Sequence, residues 1–461
     1  MNYTFNAIVV GAGQAGPSLA VRLANAGRKV ALVERKLVGG TCVNTGCTPT
    51  KAMVASAHAA HLARRARDFG ADAGPVSVDM RAVKARKDTI VGNSRNGLEK
   101  WLRGTKNLTL FTGTAVFESA TSMRVGEDRL EAQQIFLNVG ARPSTEGIGG
   151  IDKVPFLTSS SIMDLDQLPK HLIVIGGGYV GLEFAQIFRR FGAVVTVVDR
   201  NDRLAAHEDE DACKVIREVF QAEGIEVRTK ANCLQLKSHG NQVAVTLDCS
   251  EGEPEVIGSH VLLAVGRIPN TDDLNLPAAG VQTDQRGFIQ VDDTLRTTAS
   301  GIFALGDCNG RGAFTHTSYN DYEIAAGNLL DGASRRVSDR IAAHALYIDP
   351  PLAGVGMSEA EVRRSGKRAL IGFRPMTRVS RAIEKGETYG FIKVLVDADT
   401  QHILGATVFG TGGDEAIHCI LTAMYARQPA SLMTHSMHIH PTVAELIPTV
   451  FGELKPLDDK A

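Results

Sequence analysis

Short runs of apolar residues alternate along this chain with longer segments whose apolar positions recur at helical spacing. The runs at 8–10 (Ile-Val-Val) and 173–175 (Ile-Val-Ile) are typical of strands buried on both faces of a parallel sheet. Each run is followed by a glycine-rich turn, a helical segment and a second strand that ends in an acid, Glu34 or Asp199. The same unit is therefore written twice, which predicts an α/β fold with two Rossmann-like dinucleotide-binding domains.

Both glycine-rich turns have the spacing G-x-G-x-x-G. A lone match carries little weight in a chain with 47 glycines, but the complete strand–turn–helix–strand unit is specific. The first glycine allows a tight turn, the second lets the backbone approach a pyrophosphate, and the third lets helix pack on strand. The acid accepts hydrogen bonds from ribose hydroxyls. Two dinucleotides are therefore predicted, one held by Gly11, Gly13, Gly16 and Glu34 and the other by Gly176, Gly178, Gly181 and Asp199.

The remaining segments divide the chain around these two units. Buried strands at 137–143 and 263–270 each end in Gly and then Pro, and we expect them to return the chain from its nucleotide domains. Beyond about residue 340, strand-like runs at 390–396 and 403–409 surround helical patterns and indicate an α+β domain. We therefore expect a first domain at 1–150, a second at 151–270, a segment completing the first at 271–340, and a C-terminal domain at 341–461.

Composition and charge exclude several classes of partner. The 461 residues are 44% hydrophobic, enough to bury several cores, and the net charge of −1 provides no basic field for nucleic acid or an anionic membrane. No apolar run approaches the ~20 residues of a membrane-spanning helix. The N-terminus runs into a strand without the basic region or cleavage site of a signal peptide, so we expect a cytoplasmic protein. The acidic run 208–211 is expected to be the exposed start of a helix.

The seven cysteines are scattered except for Cys42 and Cys47. An odd, scattered set argues against a disulfide scaffold, and the other five are expected to be small buried hydrophobes. Thr48 is predicted to cap a helix whose first residue is Pro49, so Cys47 would lie at the positive end of the helix dipole. That environment favours a thiolate, and the pair is predicted to form a disulfide that opens beside a redox cofactor.

Five motifs follow one another along the chain, and together they are specific. They are the first glycine motif (11–16), the cysteine segment (40–51), the second glycine motif (176–181), Gly-Ile-Phe-Ala-Leu-Gly-Asp at 301–307, and His440-Pro441-Thr442 with Glu445. In this combination the chain resembles the flavin-dependent pyridine nucleotide–disulfide oxidoreductases, the family of glutathione reductase, dihydrolipoamide dehydrogenase and mercuric reductase. The resemblance implies FAD in the first unit, a nicotinamide nucleotide in the second, and a C-terminal interface domain that forms a homodimer.

The resemblance also implies a role for individual residues. Cys47 resembles the charge-transfer cysteine near the flavin, and Cys42 the interchange cysteine that meets substrate. Lys51 and Glu183 resemble the ion pair beside flavin N5, and Tyr179 the aromatic gate on the nicotinamide side. The implied FAD contacts are Gly11, Gly13, Gly16, Glu34, Arg35, Gly40, Thr41, Lys51, Gly140, Gly306, Asp307 and Thr315. The implied NAD(P) contacts are Gly176, Gly178, Gly181, Asp199, Arg200 and Gly266.

His440 and Glu445 resemble the family's acid/base pair, which one subunit contributes to Cys42 of the other. A leaving thiolate needs a proton, an imidazole near neutral pKa can supply it, and a carboxylate fixes the imidazole's tautomer. The neighbouring His435 and His438 do not give a familiar zinc spacing with His440, so we expect no metal site.

The choice of nucleotide and substrate is less constrained by the sequence. Asp199 suits the free 2′-hydroxyl of NADH, whereas Arg200 and Arg203 could neutralise the phosphate of NADPH, and we favour NADH. The segment 451–457 lacks the vicinal cysteine pair of mercuric reductases. Val21 and Glu323 stand where glutathione reductases are expected to have arginines.

Residues 314–322 and 349–352 resemble those of mercuric reductase-like flavoproteins, which include hypothiocyanite reductases. We therefore predict an NAD(P)H-dependent, FAD-containing reductase of a disulfide or small reactive sulfur oxidant. Dihydrolipoamide dehydrogenase or mercuric-reductase-like activity is the alternative within the family. A flavin oxidoreductase without thiol chemistry and a non-enzymatic FAD-bound sensor are the alternatives outside it.

Overall fold

The computed structural model describes residues 1–248 and 253–457. The strands are β1 (Asn2–Thr4), β2 (Ala7–Val10), β3 (Val30–Glu34), β4 (Leu108–Thr112), β5 (Ala115–Ser119), β6 (Ser122–Val125), β7 (Asp128–Glu131), β8 (Gln134–Leu137), β9 (Ala141–Pro143), β10 (Leu157–Thr158), β11 (His171–Ile175), β12 (Val194–Val198), β13 (Glu226–Arg228), β14 (Asn232–His239), β15 (Gln242–Asp248), β16 (Glu255–Gly258), β17 (His260–Leu263), β18 (Arg267–Pro269), β19 (Ile302–Ala304), β20 (Ala343–Leu346), β21 (Leu352–Gly356), β22 (Ala369–Pro375), β23 (Phe391–Asp397), β24 (Ile403–Phe409) and β25 (Lys455–Pro456).

The α-helices lie between these strands and, in the C-terminal third, around one sheet. They are α1 (Ala15–Asn25), α2 (Gly40–Thr45), α3 (Cys47–Arg64), α4 (Met80–Gly104), α5 (Tyr179–Phe191), α6 (Glu210–Ala222), α7 (Thr315–Leu330), α8 (Glu359–Arg364), α9 (Ser380–Glu384), α10 (Gly413–Tyr425), α11 (Ser431–His435) and α12 (Ile447–Gly452). Within the described ranges, no helix is both long enough and apolar enough to cross a membrane.

The first predicted unit forms a parallel sheet with the order β19-β8-β2-β3-β4. Every residue of β2 is buried, as the continuous apolar run of a two-sided parallel strand requires. β19 reaches this sheet from the segment 271–340, and β1, β7, β6 and β5 form a second, smaller sheet beside it. The carboxyl ends of β2 and β8 therefore meet where the first glycine turn leaves the sheet.

The second unit repeats this design. Its parallel sheet has the order β10-β17-β11-β12-β13, with α5 directly after the second glycine turn, and β14, β15 and β16 form an antiparallel sheet next to it. The C-terminal part is an antiparallel sheet of order β20-β21-β24-β23-β22-β25, whose core includes residues of α10 and α12. The predicted α/β fold with two Rossmann-like units and a C-terminal α+β domain is confirmed, while the domain boundaries stay a prediction.

The buried-cysteine prediction holds in part. Cys213 and Cys308 are buried, whereas Cys419 is partly exposed. Burial raises the pKa of the Cys213 thiol to about 11 and that of Cys308 to about 12, so both remain neutral at physiological pH. Cys249 and the side chain of Cys233 lie outside the described part of the chain.

The prediction that the acidic run 208–211 is the exposed start of a helix holds only in part. Helix α6 begins at Glu210, which is exposed, whereas Glu208, Asp209 and Asp211 are partly buried. Lys393 on β23 is only 1% exposed, and its ammonium pairs with Asp209 at 2.9 Å and Asp211 at 2.8 Å. Glu359 at the start of α8 approaches the same ammonium at 3.3 Å. The run faces a buried cation of the C-terminal sheet because the tertiary fold brings β23 against the start of α6, which a local charge pattern does not reveal.

We expect Lys393→Met to destabilise the protein by ~3 kcal/mol, because it leaves buried carboxylates without their cation. Urea unfolding of the FAD-loaded protein, followed by circular dichroism, measures the loss. Lys214→Met is the matched control, since Lys214 is 78% exposed and 4.0 Å from Glu218, and it should cost less than ~0.5 kcal/mol. Equal losses in the two variants would contradict a stabilising role for the buried cluster.

Candidate active site

Cys42 and Cys47 lie on two consecutive helices that meet at Gly46. Cys42 is in α2, Gly46 interrupts the helical path, and Cys47 is the first residue of α3. The predicted helix start at Thr48 and Pro49 is therefore wrong by two residues. Pro49 is still tolerated, because the first N–H groups of a helix have no intrahelical acceptor. Because α3 begins at Cys47, this residue lies directly at the positive end of the α3 dipole.

The pKa values of the two thiols shift in opposite directions. The hydrogen bond from Cys42, with smaller contributions from Thr315 and the charge of Lys51, lowers the pKa of Cys47 to about 6. The same contact between the sulfurs, together with burial, raises the pKa of Cys42. Thr315 Oγ1 lies 3.1 Å from Cys47 Sγ at the start of α7. The direction of these shifts favours the thiolate at Cys47 and the protonated thiol at Cys42.

Lys51 and Glu183 form an ion pair between the two nucleotide-binding units. Lys51 Nζ lies 2.7 Å from Glu183 Oε2, and the Glu183 side chain is only 7% exposed. Lys51 Nζ also stands over the ring of Tyr347, 4.6 Å from its centroid, while the Tyr347 backbone N–H donates to Glu183 Oε1 at 3.0 Å. The sequence reasoning missed Tyr347, which lies just after β20 and brings the C-terminal domain to this pair.

A cavity of about 610 Å³ extends from the first glycine turn to the cysteine pair. Of the residues predicted to contact FAD, those that line it are Gly11, Gly13, Glu34, Arg35, Gly40, Thr41, Lys51, Gly140, Asp307 and Thr315. Both Cys42 and Cys47 also line it, and α5 contributes Val180, Glu183 and Phe184. The cavity therefore places a site for an elongated ligand against the sulfur pair.

The polar groups of this cavity fit a flavin dinucleotide. Glu34 accepts hydrogen bonds from Ala12 N and Lys36 N, both at 2.8 Å, and its carboxylate keeps lone pairs for ribose hydroxyls. Asp307 lies on the cavity wall, and burial raises the pKa of its carboxyl. Its nearest cation is Arg267, 3.8 Å away, so it can accept hydrogen bonds from the hydroxyls of a ligand.

Close packing explains why Gly16 and Gly306 are needed although they do not contact the cavity. A Cβ on Gly16 would lie 2.0 Å from Gly11 O, and one on Gly306 would lie 2.5 Å from Ser318 Oγ. Asn138, which the sequence reasoning missed, accepts from Gly16 N at 3.0 Å and donates to Leu305 O at 2.8 Å. Asn138 lies in the segment 137–143, which the sequence predicts as a buried strand ending in Gly and Pro. It joins the first glycine turn to the 301–307 motif.

Arg35 and Thr41 lie at opposite parts of the same cavity. The Arg35 guanidinium pairs with Asp273 at 2.7 Å, and both residues line the cavity near its Glu34 end. Thr41 precedes Cys42 in α2. Gly40 approaches the first turn so closely that a Cβ on it would lie 2.8 Å from Gly13 Cα. The start of α2 therefore ties the cysteine segment to the glycine turn.

The second glycine motif has the geometry of the first. A Cβ on Gly181 would lie 1.9 Å from Gly176 O, whereas Gly178 faces open space. The buried Asp199 carboxylate accepts hydrogen bonds from Gly177 N and from Asn201 N. The open position is the second glycine, where backbone is expected to approach a pyrophosphate.

The other predicted residues of the second unit surround this turn. Arg200 is exposed beside Asp199, and Gly266 O accepts a hydrogen bond from Ser144 N at 2.9 Å. Tyr179 is the first residue of α5, and its hydroxyl donates to Glu208 rather than pointing into the cavity. Its ring centroid lies 6.2 Å from that of Phe314, a residue of the cavity wall.

His440 and Glu445 form the predicted pair but lie apart from the cavity of their own chain. His440 Nδ1 is 2.8 Å from Glu445 Oε2, and the His440 side chain is 77% exposed. Among the described residues, none beyond Ser318 lines the cavity that holds Cys42. The described residues also contain no group of three His, Cys, Asp or Glu side chains placed to hold a metal ion.

Comparison with known proteins identifies the family that has this geometry. The pyridine nucleotide-disulphide oxidoreductase family matches residues 5–321, and the dimerisation domain of the same family matches residues 342–451. The chain is 34% identical over 449 residues to a mercuric reductase from Streptomyces lividans, covering 96% of this chain and 94% of that protein. It is 32% identical over 451 residues to a dihydrolipoyl dehydrogenase from Chlamydia muridarum, covering 97% and 96%.

A solved structure gives the same result for the fold. The HOCl-induced flavoprotein disulfide reductase RclA from Escherichia coli is 32% identical, with a TM-score of 0.89, and the match covers 98% of this chain and 100% of that one. Members of the family depend on FAD and use NAD(P)H, and the dimerisation domain indicates a homodimer. The chain belongs to the pyridine nucleotide-disulphide oxidoreductase family and is an FAD-dependent NAD(P)H:disulfide oxidoreductase.

Proposed function

We propose that this enzyme relays electrons from NADH through FAD and the Cys42–Cys47 pair to a disulfide or a small thiol-reactive sulfur oxidant. The observation that carries the proposal is the position of Cys42 and Cys47 together on the wall of the cavity, with Cys47 at the start of α3 and its Sγ 3.1 Å from Thr315 Oγ1. The direction of the pKa shifts agrees, since the pKa of Cys47 is lowered to about 6 and that of Cys42 is raised. The Cys47 sulfur is thereby suited to interact with the cofactor, and the Cys42 sulfur to react with the substrate.

FAD, held by the residues that line the cavity, would supply the two-electron chemistry that links reduced nicotinamide to the disulfide. Lys51, paired with Glu183, places a positive charge near the Cys47 sulfur and stabilises its thiolate. Once a base removes its proton, Cys42 attacks one sulfur of the substrate and forms a mixed disulfide, releasing the first thiol. Cys47 then attacks the Cys42 sulfur, releases the second thiol and restores the Cys42–Cys47 disulfide.

We propose that His440 of the second subunit is the base that deprotonates Cys42 and returns the proton to the leaving thiolate. His440 is exposed in a single chain and is oriented by Glu445. The adjacent Met437 and Ile439 are 97% and 80% exposed, which is unusual for large apolar side chains outside an interface. A homodimer would cover these side chains and bring the imidazole to a cavity whose described lining residues include no histidine.

The proposed substrate class follows from the two positions at which glutathione reductases are expected to have arginines, Val21 and Glu323 in this chain. Val21 is buried, and Glu323 pairs with Arg335 at 3.6 Å, so neither provides a free cation for the carboxylates of glutathione. A small oxidant or an uncharged disulfide needs no such anchor. The RclA relative is an HOCl-induced disulfide reductase, and we propose a comparable role for this enzyme in the cytoplasm.

We expect Cys42→Ser to reduce NADH-dependent disulfide reduction by roughly a thousandfold, because the nucleophile is lost. Reduction of an artificial one-electron acceptor such as ferricyanide should persist, since such an acceptor takes electrons from the flavin before they reach the cysteines. The first rate is measured with lipoamide, glutathione disulfide, cystine and hypothiocyanite as candidate oxidants, and the second with ferricyanide alone. Cys419→Ser, at a partly exposed cysteine outside the cavity, is the control. Full activity of Cys42→Ser would favour flavin chemistry without thiols.

The Cys47 thiolate should form as the pH rises through about 6, well below the ordinary pKa of 9.0. The ultraviolet thiolate absorbance of the reduced enzyme, titrated from about pH 4 to about pH 9, measures the midpoint of this titration. Lys51→Met removes a nearby cation and should move the midpoint up by roughly one unit. Lys84→Met, which removes a lysine paired with Asp88 on α4, should leave it in place. A wild-type midpoint above about 8 would contradict the assignment of the thiolate.

The Asp199 carboxylate should disfavour the 2′-phosphate of NADPH, so we expect kcat/KM for NADH to exceed that for NADPH by roughly tenfold. Asp199→Asn keeps an oxygen that can accept from Gly177 N but removes the charge, and it should narrow the ratio. Steady-state kinetics with both nucleotides at one ionic strength checks this. An equal or better rate with NADPH in the wild type would instead favour phosphate binding by Arg200.

A further inference from the structure

The Glu208 carboxylate is buried between the second nucleotide unit and the C-terminal sheet. Its side chain is only 9% exposed, and it accepts the hydrogen bond donated by the Tyr179 hydroxyl. His344 of β20 approaches the same carboxylate, with its Nε2 3.1 Å from Glu208 Oε1. The charge of Glu208 thus meets one residue from each of two domains, and nothing in the relay described above requires it.

The backbone around Glu208 is fixed at both ends. Ala205 N donates to Gly177 O at 2.8 Å, and Glu208 N donates to Ala205 O at 2.7 Å, so the loop is tied to the second glycine turn. Beyond it, Asp209 accepts hydrogen bonds from Glu359 N at 2.9 Å and from Lys393 Nζ at 2.9 Å. Glu208 is therefore held on a rigid support that joins the nucleotide turn to the C-terminal domain.

Tyr179 lies between the second glycine turn and the residues of α5 that line the cavity. It follows directly after the second glycine motif, and the next residues of α5, Val180 and Glu183, line the cavity beside the cysteines. In the described structure the Tyr179 side chain is not part of the cavity lining, and its ring lies 6.1 Å from His344. Its hydroxyl is directed away from the cavity, towards Glu208.

We propose that Glu208 is a positioning residue for nicotinamide entry, holding the Tyr179 ring beside the path from the second glycine turn to the cavity. The inference rests on the proposed function, because it takes this path as the route of the reducing nucleotide. Without the acceptor, rotation about the Tyr179 side-chain bonds moves the ring towards the cavity entrance, where it competes with the nicotinamide. The residue acts through Tyr179 and does not touch the nucleotide.

Electrostatics around the phenol agree with this geometry. Burial, followed by the charge and hydrogen bond of Glu208, raises the pKa of Tyr179, so the hydroxyl remains a donor over the whole working range of pH. A hydrogen bond to a carboxylate is stronger than one between neutral groups. The contact is therefore suited to fixing one conformation of the ring.

The test measures binding of NAD⁺ to the FAD-loaded enzyme by calorimetry, and KM and kcat for NADH with ferricyanide as acceptor. Glu208→Ala should raise both Kd and KM roughly tenfold while kcat changes less than about twofold, as expected for loss of one charge-assisted hydrogen bond. Tyr179→Phe should give the same change. Glu208→Gln keeps an amide oxygen as acceptor and should fall between wild type and Glu208→Ala.

The double variant Tyr179→Phe/Glu208→Ala decides whether Glu208 acts through the phenol. It should be no worse than either single variant, because both remove the same contact. Glu210→Gln, at an exposed acid of the same run, is the charge-matched control and should bind NAD⁺ as the wild type does. Should Glu208→Ala fold poorly, as judged by flavin content and thermal melting, Glu208→Gln and Tyr179→Phe carry the comparison.

Two results would overturn the proposal. One is a Kd and KM within about twofold of wild type in Glu208→Ala, and the other is an undiminished effect of Glu208→Ala in the Tyr179→Phe background. Failure of the proposed function has a different signature, since the wild type would then reduce no disulfide while its NAD⁺ affinity still responded to these substitutions. Intact disulfide reduction with unchanged affinity would reject only the role of Glu208.

Discussion

The stabilisation of one sulfur anion is the interaction on which the rest of this structure depends. Cys47 lies at the first position of α3, receives the hydrogen bond of Cys42, lies 3.1 Å from the Thr315 hydroxyl and feels the charge of Lys51. These partners come from α2, α7 and α3, so the thiolate exists only if the segments around the cavity meet correctly. The architecture of the first unit can be understood as the support for that meeting.

Close contacts between backbones provide much of this support. The first glycine turn touches the start of α2 and the strand-end segment after β8, and Asn138 connects it to the 301–307 motif. A side chain at Gly16 or Gly40 would separate elements that must touch, because protein interiors leave no spare volume. The same contacts that close the cavity around a dinucleotide therefore also fix the cysteines at its end.

The C-terminal domain contacts both nucleotide-binding units, in addition to the dimer formation that its family indicates. Tyr347 reaches the Lys51–Glu183 pair, Lys393 binds the acidic run at the start of α6, and His344 approaches Glu208. Buried charges such as Lys393 are expensive to leave unpaired, so these contacts hold the nucleotide units in a defined orientation. Such an arrangement makes the geometry of the redox site depend on a domain that lines none of the cavity within the described residues.

The sequence alone determined the α/β fold and the two nucleotide-binding units, and it singled out the two cysteines that the structure brings to one cavity. Glycine spacing, strand periodicity and closely spaced cysteines are local patterns with few structural solutions. It did not determine where α3 begins, since Thr48 and Pro49 fit more than one place in the first turn, nor the partial burial of Glu208, Asp209 and Asp211. The contacts of Asn138, Tyr347 and Glu208 also went unrecognised. They join residues far apart in the chain, and only the packing of the two nucleotide-binding units and the C-terminal domain decided which side chains would meet.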